Sequence, residues 1–276
     1  MDRHTKDKAM KGVLWGFALL TIAVLTIIIG FIVIKGAPAI SWEFLTENPL
    51  RSGREGGIFP AIVGTIYLAG LAVLVATPIG VGGALYLTEF TKEGRVTKLI
   101  RFGADTLNGV PSIIFGLFGF SFLVYYLGFG VSILSGGLTL AFMILPTIFR
   151  TSEEAIRAVP RWDKEGSYAL GATKLQTIWK VVIPQSISGI VTGIILGLGR
   201  AAGETAPIIF TAAILNPIMP DSIMQPTMAL SAHLYTLTSE GISMENAFGT
   251  ALVLIVMILV FNFAVSFIRR RKAIRR

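Results

Sequence analysis

Arg200 and Glu204 are formal charges set inside an otherwise apolar stretch, four residues apart and so on one side of a helix. An arginine fork can hold an oxyanion through two N–H donors, and a neighbouring carboxylate can hold the arginine and keep the anion from binding too tightly. Thr205 follows directly and adds a hydroxyl to the same path. The spacing fits a second use equally well, an internal salt bridge that neutralises two buried charges and sets helix packing. Arginine in hydrocarbon costs at least about 2.5 kcal/mol, so in either case the pair must face protein or water. Counted from Pro184, a tolerated helix start, Arg200 lies about 24 Å along its helix, in the outer half of a membrane. Gly189, Gly193, Gly197 and Ala201 recur at steps of four on the same helix and let another helix approach closely. At about 100° per residue Glu204 falls about 20° from Gly197 and Arg200 about 60° from it, so the pair borders that small-residue face.

Other chemistry is sparse. The chain has no cysteine, which excludes thiolate metal sites and cysteine nucleophiles. His4 and His233 are isolated, one in a tail and one in an expected external loop, and neither is read as catalytic or metal-binding. Gly166 and Gly171 have the spacing of a phosphate-binding P-loop, but Ala172 stands where the lysine is required. The sequence thus predicts no enzyme activity, no cofactor and no metal; ATP, if used, is handled by a separate subunit.

The elements that must position these groups follow from composition. Of 276 residues 53% are hydrophobic and only 14% charged, against about 25% charged in a soluble domain, and the mean hydropathy is +0.73. An all-α polytopic membrane protein is predicted, with spans at about 13–34, 58–87, 107–127, 131–149, 184–214 and 246–268. Thr77-Pro78-Ile79-Gly80 interrupts the second, where a bend or an end is expected. Lys35, Arg51 and Arg54 fall outside and Arg200 falls within a span; the rest of the 24 Lys and Arg lie on one side. The tails 1–12 and 269–276 should therefore both be cytoplasmic, and the net charge of +8 reports orientation rather than affinity for nucleic acid.

The loop 150–183 is the longest cytoplasmic segment. After Val159-Pro160, Tyr168, Gly171, Ala172, Leu175, Ile178, Trp179 and Val182 recur at steps of three and four and define one helical face. Such a helix can lie on the membrane or under the bundle, or dock in the groove of a cytoplasmic partner.

Glu165-Gly166-Ser167-Tyr168-Ala169-Leu170-Gly171-Ala172-Thr173, followed by Ile178-Trp179-Lys180-Val181-Val182-Ile183-Pro184, resembles the EAA loop of ABC importer permeases. Glu165, Gly171 and Pro184 match its three marker positions, while Gly166 replaces the family's usual alanine. Gly64-Thr65-Ile66-Tyr67, Gly109-Val110-Pro111-Ser112-Ile113-Ile114-Phe115-Gly116, Leu145-Pro146-Thr147-Ile148 and Arg200-Ala201-Ala202-Gly203-Glu204-Thr205-Ala206-Pro207 narrow the resemblance to phosphate permeases of the Pst type, over roughly residues 56–215. The Gly-Glu-Thr-Ala-Pro ending and Thr151-Ser152-Glu153-Glu154-Ala155 are similar to PstA-type subunits. The resemblance implies a type I ABC importer permease (MetI-like) fold in the inner or plasma membrane, working by alternating access. It implies as partners a homologous PstC-like permease, two copies of a PstB-like ATPase and an extracytoplasmic PstS-like phosphate-binding protein. Glu165, Gly166, Ala169, Leu170, Gly171 and Ala172 would form the coupling helix in a cleft of the ATPase, and Arg200 and Glu204 would take part in transport. A PstC-type sister, a sulfate or molybdate permease and an ion-coupled secondary transporter are the alternatives.

Overall fold

The computed structural model describes residues 3–214 and 219–274, so the ends of both basic tails and residues 215–218 of the expected external loop lie outside the described residues. α1 (Arg3–Gly36) is 34 residues long, extends through most of the expected N-terminal tail, and exposes its apolar surface nearly throughout. It touches the bundle near its outer end, where Phe31 meets Phe248 edge-on. A short helix, α2 (Trp42–Thr46), capped by the Ser41 hydroxyl, and a hairpin of β1 (Pro49–Leu50) and β2 (Glu55–Gly56) lead into α3 (Phe59–Leu85).

The centre of the molecule is α3 against α6 (Ile133–Arg157), joined by α9 (Ile183–Gly203). Small residues make the contact. A Cβ on Gly136 would come to 2.7 Å of Leu68 Cδ2, and one on Gly80 to 3.1 Å of Ile148 Cγ2. Leu68 is thus beside Gly136 and Gly80 beside Ile148, so α3 and α6 run parallel. Parallel neighbours need a return crossing between them. The segment that makes it is a broken helix, α4 (Arg95–Asn108) and α5 (Ser112–Gly119) with a π-helical continuation to Tyr126, bent by 99° at Gly109-Val110-Pro111. The expected span 107–127 is accordingly helical in one direction only from Ser112, because Pro111 cannot donate to the helix ladder. Among the described residues five other helices are long and apolar enough to cross a membrane, and counting the bent pair as one span makes six.

Two further expectations are corrected and one is narrowed. Of the bend or end expected near Pro78, the end does not occur, since Pro78 sits inside α3 like Pro146 in α6. Proline's fixed φ is helical, and tight packing on α6 carries the helix past the missing hydrogen bond. The fourth span does not stop at 149: α6 continues to Arg157 and takes in the first residues of the expected loop 150–183. The fifth does not continue to 214. α9 ends at Gly203, Glu204 is extended (φ −76°, ψ 143°), and a new helix, α10 (Ala206–Thr211), follows. Pro207 is the cause, since inside a continuous helix its ring would strike the carbonyl of residue 203, whereas the first turn of a new helix accepts it.

α11 (Leu230–Ser239) is about 15 Å long, too short to span, and packs against α12 and α3. The Leu230 N–H donates to Thr65 Oγ1 of α3 at 2.9 Å. His233, expected in an exposed loop, is a buried residue of α11. α12 (Met244–Ile274) closes the bundle against α1, α9 and α11.

Candidate functional site

The Arg200–Glu204 pair stands at the end of α9. Arg200 occupies its last turn, and its Nε is 3.5 Å from Glu204 Oε1, with both side chains partly exposed (29% and 19%). Because Glu204 lies beyond the helix end, the angles expected from a continuous helix hold only to Gly203. The Glu204 carbonyl is fixed instead by α11, accepting from Ser231 Oγ at 2.5 Å. Thr205 lies half-buried at the start of α10 and its side chain caps nothing. Guanidinium has five N–H donors. Among the described residues the ion pair with Glu204 is the one polar contact of that head group, so most of its donors are unused. On α12, Asn262 Oδ1 is buried without a partner, 4.0 Å from where a Cβ on Gly199 would stand.

The small-residue stripe lies against α6. A Cβ on Gly189 would run into Ala155 Cβ, one on Gly193 would come to 2.9 Å of Thr151 Cβ, and one on Gly197 to 3.2 Å of Ile148 Cδ1. Ala201 is buried at the end of the stripe.

Ahead of α9 the expected single helix over 168–182 is not formed. α7 (Arg161–Ala169) stops at Leu170, and α8 (Lys174–Thr177) restarts with Thr173 and Gln176 capping each other's backbone. Gly171 sits at φ +81°, a conformation that costs a residue with a Cβ 1–2 kcal/mol or so, about what the left-handed region carries. The chain turns there and continues through a π-helical stretch, Ile178–Val182, into α9. The turn makes a corner on which Glu165, Gly166, Ala169, Leu170 and Gly171 are exposed and Ala172 half-buried. Leu170 is 91% exposed, with Trp162, Leu175 and Trp179 uncovered nearby in sequence. The corner is tied to the bundle by Lys164 Nζ on Glu89 Oε1 at 2.5 Å, and Ser167 Oγ meets Thr177 Oγ1 at 2.9 Å.

A third constellation escaped the sequence reading. Glu153 is 1% exposed and accepts from Arg101 Nε (2.5 Å), Arg150 Nη1 (2.6 Å) and Arg157 Nη2 (3.1 Å). Glu93 adds contacts to Arg101 (2.8 Å) and Arg157 (3.0 Å), and Asp105 one to Arg150 (2.7 Å). Three arginines thus meet three carboxylates, and the knot staples α4 and the loop before it to α6. The hydrogen bond from Arg101, aided by the charges of Arg101, Arg157 and Lys98, holds the Glu93 carboxyl below the usual range. Arg150, Glu153 and Arg157 have helical i, i+3, i+7 spacing, a signal available in the sequence. Arg101, 52 positions before Glu153, has no local signal.

A family model described as a binding-protein-dependent transport system inner membrane component matches residues 76–273. The chain is 39% identical over 262 residues, 93% of this chain and 91% of the relative, to a probable phosphate transport system permease protein PstA of Methanocaldococcus jannaschii. It is 33% identical over 279 residues, 96% and 95% of the two chains, to a probable ABC transporter permease protein YqgI of Bacillus subtilis. Among solved structures it is similar to a chain of a bacterial alginate ABC transporter, with a TM-score of 0.68 at 16% identity over 98% of each chain. A chain of the inward-facing MetNI methionine ABC transporter gives a TM-score of 0.64 at 18% identity over 77% of this chain and 94% of the other. These two likenesses show the fold, that of an ABC importer permease.

Proposed function

The chain belongs to the family of binding-protein-dependent transport system inner membrane components, and from that premise we propose that it is the PstA-type permease of an ATP-driven inorganic phosphate importer. Membership makes it a multi-pass component of an inner membrane that works with an ATPase and a binding protein, and it leaves ATP hydrolysis to the separate subunit. An ion-coupled secondary transporter is thereby set aside.

Phosphate is supported by several relatives whose names carry it, at 30–39% identity. The observation in the chain that carries the reading is the Arg200 head group, held at 3.5 Å by one carboxylate and otherwise without a polar partner. An oxyanion arriving from outside can take the unused donors while Glu204 keeps the complex reversible. The other half of the path would come from a PstC-like permease and the cargo from a PstS-like protein. Two PstB-like ATPases would grip the corner around Leu170, and their closure would reach the bundle through Lys164–Glu89 and the π-helical stretch leading into α9. Both termini would be cytoplasmic.

The test is uptake of labelled phosphate against sulfate and molybdate by the reconstituted complex. Uptake of phosphate in preference to the other two, dependent on ATP, is expected. Preference for sulfate or molybdate would overturn the substrate assignment while leaving the family intact.

A further inference from the structure

Two cavities adjoin along the cytoplasmic half of α3, sharing Ile100 of α4 as a common wall. The deeper, about 370 Å³, lies between α3, α4 and α6, and its lining is apolar: Ile79, Gly83, Gly103, Leu107 and Phe149 are its main walls. Glycine makes the room, since nothing stands within 4 Å of a Cβ built on Gly103, and Gly83 would meet only the Phe149 ring at 3.5 Å. The outer cavity, about 470 Å³, is edged by Tyr86, Lys92, Glu93 and Arg95 at the cytoplasmic rim. From Ile79 of α3 to Thr91, just past the π-helical turn Tyr86–Phe90 that continues it, the two run about 18 Å at helical rise, close to the roughly 15 Å depth of one leaflet.

Charge says what fits. Lys92 and Arg95 are exposed and form no ion pair among the described residues. The acid on the same rim, Glu93, is already engaged by Arg101 and Arg157. The rim therefore offers two uncompensated cations above an apolar slot, the arrangement that suits an anionic head group with an acyl chain below it. We propose that this groove is a site for one anionic phospholipid, its phosphate on Lys92 and Arg95 and one acyl chain between α3, α4 and α6. An occupant there would touch both α4 and the π-helical turn after α3 that carries Glu89, and so would brace the elements behind the cytoplasmic corner.

Native mass spectrometry of the purified importer complex, titrated with phosphatidylglycerol or with phosphatidylethanolamine, tests this. The intact complex should retain phosphatidylglycerol preferentially. Lys92→Gln with Arg95→Gln should weaken that retention about twenty-five-fold, at about a factor of five per lost charge, and weaken that of phosphatidylethanolamine, whose ammonium offsets its phosphate, far less. Gly103→Leu, whose Cβ has no neighbour within 4 Å and whose branch extends into the slot, should weaken retention of both lipids. The double cation variant alters only exposed side chains and reads the head-group arm even if Gly103→Leu prevents assembly. Equal retention of the two lipids by the intact complex, or retention indifferent to the cation variant, would overturn the proposal. So would efficient cross-linking of Gly103→Cys, the sole cysteine in the chain, to the partner permease, because protein would then cover the groove.

Discussion

Two arginine–carboxylate sites divide the molecule. Near the C-terminal end of α6 Glu153 is enclosed by three guanidinium groups at 2.5–3.1 Å. At the C-terminal end of α9 Arg200 holds one carboxylate at 3.5 Å, with both groups partly exposed. Ionic partners that saturate one another leave nothing to offer a ligand, and enclosure makes their separation costly. A loose pair on a broken helix keeps donors free and can exchange partners. The same residue types therefore form a saturated cluster in one place and a loose pair in the other, the one we propose as a transport group.

The largest expected effect comes from breaking the staple. Glu153→Gln leaves Arg101, Arg150 and Arg157 facing each other around a neutral amide. Removing one partner of an enclosed ionic cluster costs about 3–5 kcal/mol, here toward the lower end because Arg157 is half exposed. Thermal unfolding of the detergent-solubilised complex should fall accordingly. Unchanged melting would mean that the enclosed carboxylate is no staple at all.

A buried ionisable group with no counterion sharpens the comparison from the other side. His233 Nε2 has no partner, and burial pushes the imidazole down from about 6.5 to about 4. Below about pH 6.5 the unfolded chain takes up a proton that the folded chain refuses until about pH 4. Stability is thus full above about pH 6.5 and lost as pH falls, by about 2 kcal/mol at pH 5. His233→Leu should flatten that part of a melting-against-pH curve; a curve of unchanged slope would remove His233 as its source.

The smallest effect concerns the fork. Arg200→Lys keeps the charge and loses the bidentate geometry, so phosphate transport should drop about tenfold while melting shifts by less than about 1 kcal/mol. Transport retained in full would reduce Arg200 to a point charge.

The spans were readable because apolar runs of about 20 residues admit few other readings in a chain so poor in charge. Where helices stop was less readable. Pro207 ends α9 and Gly171 turns the corner, yet Pro78 and Pro146 do neither, since packing on a neighbouring helix decides whether a proline breaks its own. Arg200 with Glu204 was visible because charge inside an apolar run stands out. The Glu153 knot was not, because its strongest contact joins segments 52 residues apart.

The claim that the outer pair handles the anion is tested most directly by transport of labelled phosphate in complexes carrying Arg200→Gln together with Glu204→Gln. The substitution removes both charges at once and leaves no unpaired ion in the bundle. The expected result is an assembled complex, melting near the unaltered one, with phosphate transport abolished. Normal phosphate transport by that double variant would contradict the account, because a pair that can be neutralised without loss serves packing alone.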